Sequence, residues 1–341
     1  MTTPTSSPLH PALASTQWRE VIPPDEAQRF EGYAQQFAQL QARVSARQGT
    51  GRALHRKQLL GVKASFTVLP DVPDFARHGL FAVAGTYAAR VRLSNGGIEK
   101  TSDAKPDIRG FAFAVDGLDG LQQESTFGGV AHSQGFALIN HEVFAFPHVD
   151  EFVPFALAAA RGPKGILQHL IQRHGVWAGT KRLLQMRSTI GKPFAGFAND
   201  NFYSAAPIAC GPYAVKVRLE PDANNGPALA DARKDWGADM AQRLRQGGLG
   251  YTLSVQPFVD EARTPIENPS IAWPSAYVPV ARLELPQQDL SNEQSTETTQ
   301  AIEQSVFDPW VALAAHRPLG NVMRARQVVY YQSQQARGAT T

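Results

Sequence analysis

Cysteine is almost absent from this chain: Cys210 is the only one in 341 residues. A disulfide framework within the chain is therefore excluded, as is a metal site built from a cysteine cluster. A lone thiol suits a reducing cytoplasm, which is the expected location. No run reaches the ~18–20 apolar residues of a membrane span, so membrane insertion is not expected. The stretch Met1–Ala14 is rich in Pro, Ser and Thr and lacks the apolar region of a signal peptide. Net charge is slight as well, +3 from 33 basic and 30 acidic residues. With no dense basic run, nucleic acid is not an expected partner. Internal repeats are absent.

What is there is ordinary globular material. The chain is 43% hydrophobic, enough for one large domain with a sizeable core. Residues 1–20 read as a flexible arm and 21–341 as a single domain. Pro23, Pro24 and Asp25 open a helix on which Ala27, Phe30, Tyr33, Ala34, Phe37, Leu40 and Val44 recur at helical spacing, to about Arg47. Alternation and turn residues then predict antiparallel strands over 62–68, 86–94, 110–115 and 135–143. Residues 150–190 read as a helical insertion. Strands resume at 213–219, 251–258 and 278–285, so the strand-rich region covers about 50–290. The polar stretch 289–304 opens a helix that ends before Pro309, and a last helix covers about 319–335. The fold class is α+β, strand-rich in the middle with helices at both ends.

Two segments carry candidate chemistry. On the last helix Arg326 and Tyr330 are four residues apart, and Arg337 lies seven beyond, so all three share one face. A tyrosine between two guanidiniums is a plausible anion site, and equally an ordinary packed tyrosine beside exposed arginines. A phenol with pKa near ~10 needs about 4 kcal/mol of help to ionise at neutral pH. A ferric ion would supply most of it and a neighbouring arginine some. Near the other end, His55 follows Arg52 and Leu54 and directly precedes β structure. A histidine there can face a cavity as general acid and base, or can be a plain surface or core residue. His132, His141 and His148 are spaced too irregularly to suggest a metal site, and Cys210 reads as a buried apolar residue.

Together these segments resemble the monofunctional haem catalases. That family reads Arg-Val-Val-His-Ala-Lys before a barrel strand, where this chain has Arg52-Ala-Leu-His55-Arg-Lys57. The family's Val-Arg-Phe-Ser is matched by Val91-Arg92-Leu93-Ser94, and its Asp-x-Arg-Gly-Phe-Ala by Asp107-Ile-Arg109-Gly110-Phe111-Ala112. Its distal asparagine, ahead of a Phe-rich strand, is matched by Asn140 with Phe144 and Phe152 after it, across a one-residue gap. Its Phe-Asp-Pro followed by Arg-x-x-x-Tyr is matched by Phe307-Asp308-Pro309 and Arg326-x-x-x-Tyr330, with Arg337 at the inherited spacing. The order holds from residue 52 to 337. Residues 150–200 match poorly, and the chain stops just after Arg337, where typical catalases continue into a helical domain. The pattern is closer to the small catalase-related haem proteins.

The resemblance implies an antiparallel β-barrel core with flanking helices, binding haem b between the barrel and the helices of 300–338. Tyr330 would be the iron ligand, tuned by Arg326, with Tyr331 as a competing candidate. Arg52, Arg92 and Arg337 would pair with the haem propionates, and Leu54, Phe144 and Phe152 would line the pocket. His55 would move a proton on a bound peroxide, Asn140 would donate a hydrogen bond to it, and Ser94 would orient His55 through its other ring nitrogen. NADPH is not expected. A small-molecule peroxide is the implied partner, and a homo-oligomer is possible. The implied activity is a catalase-related peroxidase, with roles in oxidative stress. The alternatives are a hydroperoxide isomerase or other biosynthetic enzyme on the same fold, and a non-catalytic haem binder.

Overall fold

The computed structural model describes residues 13–118, 123–125, 132–191 and 193–339. The elements run α1 (Glu26–Gln48), β1 (Gln58–Val68), β2 (Gly85–Asn95), β3 (Arg109–Asp116), β4 (Gln123–Ser125), β5 (Ser133–Ile139), α2 (Val149–Ala159) and α3 (Pro163–Ile190). They continue with β6 (Phe202–Tyr203), β7 (Ile208–Cys210), β8 (Tyr213–Pro221), α4 (Trp236–Gln246), β9 (Leu249–Pro257), β10 (Val278–Leu285), α5 (Glu293–Gln304), β11 (Val311–Leu313) and α6 (Asn321–Ala336).

Alternation decides which side chains face inward. Along β1, Val62, Ala64, Phe66 and Val68 are buried while Lys63, Ser65 and Thr67 are not, the period of two expected of a sheet with one covered face. The sheet order is β6-β5-β3-β2-β1-β10-β9-β8-β7, and an additional β6–β8 pairing closes eight of these strands into an antiparallel barrel. Its interior is packed with Val62, Phe66, Val91, Phe111, Phe113, Leu219, Tyr251 and Leu283, all 1% exposed or less. Aromatic rings stack across it, Phe66 on Phe113 at 6.0 Å and Phe113 on Phe136 at 4.7 Å. The barrel is thus a filled core, and any site must lie outside its wall.

The strand expected over 135–143 stops at Ile139. There Asn140 turns the chain, because its Oδ1 accepts the Arg109 backbone N–H at 2.8 Å in place of a ladder bond. The helical insertion is two helices, and the second breaks at Gly175, whose φ of 79° lies in the left-handed region. The short strands β4, β6, β7 and β11 carry too few periodic residues to be read from sequence; the helix α4, with Trp236, Met240 and Leu244 buried at i, i+4 and i+8, was not among the expected elements.

The terminal helix α6 is fixed by charge at its start. Arg324 Nε meets Glu26 at 2.6 Å, and its Nη1 meets Glu20 at 2.6 Å and Glu267 at 2.9 Å. Glu20 also accepts the Gly320 N–H and Glu267 the Asn321 N–H, each at 2.8 Å. Carboxylates at a helix start favour the macrodipole. Residues 13–20, expected to belong to a flexible arm, are docked by this cluster and by Ser15 N–H on the Phe258 carbonyl and Trp18 Nε1 on the Pro212 carbonyl. Residues 1–12 lie outside the described residues. Among the described residues no helix is long and apolar enough to cross a membrane.

Removing the shared cation should leave three carboxylates facing one another in a mostly buried site. Arg324→Met is expected to lower unfolding free energy by about 3–5 kcal/mol in denaturant titrations. A loss within experimental error would mean that the cluster does not hold α6.

Candidate active site

A cavity of about 1510 Å³ lies between the barrel wall and the helices α1, α2 and α6. Its lining brings together His55, Ser94, Arg52, Leu54, Arg92, Phe144, Phe152, Arg326, Tyr330 and Arg337. These come from segments as far apart as residues 52 and 337, and they include all the expected site residues except Asn140; the competing ligand candidate Tyr331 is not in the lining either. The volume exceeds the ~300–1,000 Å³ usual for small-molecule pockets.

His55 sits in the bend that leads into β1, with a left-handed φ of 50°, a conformation that costs a side-chain-bearing residue energy. Two hydrogen bonds hold it there. Its N–H donates to the Gly96 carbonyl at 3.1 Å, and Arg92 Nη2 donates to its carbonyl at 2.9 Å. Its Nδ1 lies 3.0 Å from the Ser94 hydroxyl on β2, which fixes the ring and leaves Nε2 for the cavity. This packing requires glycine at 110, since a Cβ there would stand 2.5 Å from His55 Nδ1 and 2.7 Å from Ser94 Oγ. Burial, together with the charges of Arg92, Arg326 and Arg52, pushes the imidazole pKa down to about 3. The ring is therefore neutral at physiological pH.

On α6, Arg326 Nη2 donates to the Tyr330 hydroxyl at 2.6 Å, with the guanidinium 4.7 Å from the Tyr330 ring centre. The three remaining arginines gather at the C-terminus of α5. Arg52 and Arg92 each reach the Glu303 carboxylate at 2.8 Å. Arg337 donates to the carbonyls of Glu303, Gln304 and Ser305 at 3.2, 2.9 and 2.9 Å. One carboxylate and the negative end of a helix thus face three cations. Burial and the like charges of Arg92 and Arg337 hold the Arg52 guanidinium well below its ordinary pKa. Burial, opposed by Glu303 and reinforced by Arg92, brings Arg337 down to about 10. Arg337 Nε is buried with no hydrogen-bond partner.

Asn140 is the position the structure does not bring to this cavity. Its Oδ1 is engaged by the Arg109 N–H at the end of β5, and it does not line the space. Phe144 and Phe152 do line it, with rings 5.0 Å apart. Glu303 escaped the sequence reading because it lies in a polar helix with no distinguishing motif. Gln334 escaped it too: its Nε2 donates to the buried Asp308 carboxylate at 2.9 Å, tying α6 to the Phe307-Asp308-Pro309 turn. Its position one helical turn after Tyr330 was the available signal. Cys210 is fully buried, and burial pushes its thiol up to about 12.

The donor set fits a haem. The cavity offers a phenol with one hydrogen bond from an arginine, a neutral histidine, and an arginine cluster short of anions with an orphaned N–H. No family model matches the chain, and no curated protein does. Among solved structures it is similar to a fungal catalase, with TM-score 0.66 and 19% identity over 87% of this chain and 61% of that one. It is also similar to a bacterial catalase, with TM-score 0.62 and 16% identity over 87% of this chain and 59% of that one. The fold is catalase-like, and the chain spans about three fifths of the length of these structures.

The depressed pKa of His55 has a measurable consequence. Between about 3 and 6.5 the unfolded chain binds a proton at this residue that the folded chain does not. Its contribution to stability therefore falls as pH falls through that window. Between pH 7.5 and 5, wild type should lose about 2 kcal/mol more unfolding free energy than His55→Gln. Equal losses in the two proteins would place the imidazole in contact with water.

Proposed function

We propose that the chain binds haem b in this cavity and uses it to break down peroxides. The observation that carries the reading is the arginine cluster. Arg52, Arg92 and Arg337 hold more positive charge than Glu303 can neutralise, in a cavity whose walls are largely apolar. A ligand with two carboxylates on an apolar body matches that demand, and guanidinium forks suit carboxylates.

Tyr330 would hold the iron through its phenolate oxygen, with Arg326 donating the hydrogen bond that sets the oxygen's basicity. Arg52, Arg92 and Arg337 would receive the propionates, and the orphaned Arg337 Nε would gain a partner. When bound, a tyrosinate-ligated ferric haem supplies the electrons for cleaving a peroxide O–O bond. The protein's own part is proton management. Neutral His55 Nε2 takes the proton from the inner peroxide oxygen and returns it to the outer one, which leaves as water or alcohol. Ser94 holds the ring through Nδ1 during both transfers. The side chain of Asn140, committed to the Arg109 backbone, is given no part in this step. Phe144 and Phe152 exclude water from the reacting oxygens.

The size of the cavity, about 1510 Å³, leaves room for organic hydroperoxides beside hydrogen peroxide. The test is kinetic. Haem-loaded wild type should consume hydrogen peroxide or an alkyl hydroperoxide, and His55→Gln should lower kcat/KM by about 10²–10⁴-fold with the haem retained. Gly110→Ala should reproduce much of that loss by displacing the ring. Full activity in His55→Gln would remove the proposed proton carrier.

A further inference from the structure

The hairpin formed by α2 and α3 stands apart from the rest of the molecule in both charge and exposure. Between Glu151 and Asp200 the sequence holds no acidic residue but seven basic ones, in a chain whose overall charge is only +3. Arg161, Lys164, Arg173 and Lys181 are exposed. The same segment presents apolar side chains to solvent. Trp177 is 92% exposed, Val176 62%, Leu184 61% and Leu167 37%. These are four of the nine large exposed hydrophobic residues among the described residues.

The spacing makes this a surface and not a scatter. Past the break at Gly175, Trp177, Lys181 and Leu184 recur at i, i+4 and i+7, so they share one helix face. On the other side of the same helix, Arg182 reaches back to Glu151 of α2 at 3.6 Å. The helix is thus held to the body by one side and leaves a tryptophan, a leucine and a lysine outward. Soluble chains bury such residues unless something covers them. A protein groove complementary to this hairpin would have to meet the exposed Arg161, Lys164 and Lys181 with acidic groups. A lipid surface meets them with headgroup phosphates and takes the tryptophan and leucine into the boundary of its acyl region.

We propose that the part of α3 after Gly175 docks in the plane of an anionic phospholipid surface, with Trp177 and Leu184 dipping below the headgroups and Lys181 on the phosphates. Helix length and polarity rule out crossing, so the contact is peripheral. The same hairpin also contributes Phe155, Arg161, Gly162 and His169 to the lining of the cavity. The docking does not depend on the haem reading and is tested without it.

The experiment is co-sedimentation of the full chain with vesicles of phosphatidylcholine alone or with phosphatidylglycerol added. Binding is expected to the anionic vesicles, to weaken in high salt, and to be accompanied by a blue shift in tryptophan emission. Lys181→Glu combined with Trp177→Ser should lower the partition coefficient at least about tenfold. Trp177→Phe should keep most of the binding and lose most of the blue shift. Because these residues are exposed, unchanged thermal unfolding in each variant separates lost binding from lost fold. Equal affinity for both vesicle types, or binding untouched by the double substitution, would overturn the proposal. So would a concentration-dependent dimer abolished by Trp177→Ser, since a second copy would then cover the face.

Discussion

Like charges held close in a cavity set the terms for everything else in this molecule. Arg52, Arg92 and Arg337 converge on one carboxylate, Glu303, and on the carbonyl end of α5. In low dielectric such crowding is costly, and the depressed pKa values of Arg52 and Arg337 express that cost. The arrangement persists because each guanidinium is locked by hydrogen bonds to backbone that has no freedom to move away. An anionic ligand converts the same crowding into binding energy. The field also reaches His55, where it adds to burial in keeping the imidazole unprotonated. One cluster thus has two effects: it leaves positive charge for which Glu303 is the one carboxylate partner among the described residues, and it helps keep the histidine neutral.

The rest of the fold holds that cluster in place. The barrel is filled by its own side chains, so its outer wall is a rigid surface from which His55, Ser94 and Arg92 project. The opposite wall is α6, and its placement comes from outside the cavity. At its start, the Arg324 carboxylate cluster joins α6 to α1 and to residues 13–20. One turn past Tyr330, Gln334 ties it to Asp308. Burial holds the Asp308 carboxyl up at about 6, against the hydrogen bonds from the Trp310 N–H and Gln334 and the charge of Arg326. Tyr330 is therefore clamped on both sides along its own helix, which is what a ligand position demands.

Much of this was legible in the sequence. Long periodic segments such as 26–48 and 62–68 announce themselves, because burial of one face imposes a repeat on the residues. The tyrosine, its arginines and the histidine were legible through spacing and order, and the structure brings them to one cavity. What stayed hidden has physical reasons. Asn140 matches a motif, but a side-chain amide can satisfy a backbone N–H as readily as it can face a ligand, and only the geometry at Arg109 decides between them. Glu303 acts through partners 211 to 251 positions away, a relation no local pattern carries. The short strands that close the barrel, β6 above all, have no repeat to read. The outward face of α3 was not read from the sequence, because only the fold shows which of its apolar side chains remain uncovered.

The central claim is that Tyr330 is an iron ligand in an arginine-lined haem site. The most direct test is the visible absorption spectrum of the purified chain titrated with haemin, beside Tyr330→Phe. The account predicts saturation at one haem per chain with a high-spin ferric spectrum, and a changed spectrum in the variant. A chain that takes up no haem stably, or a spectrum identical in the two proteins, would contradict it.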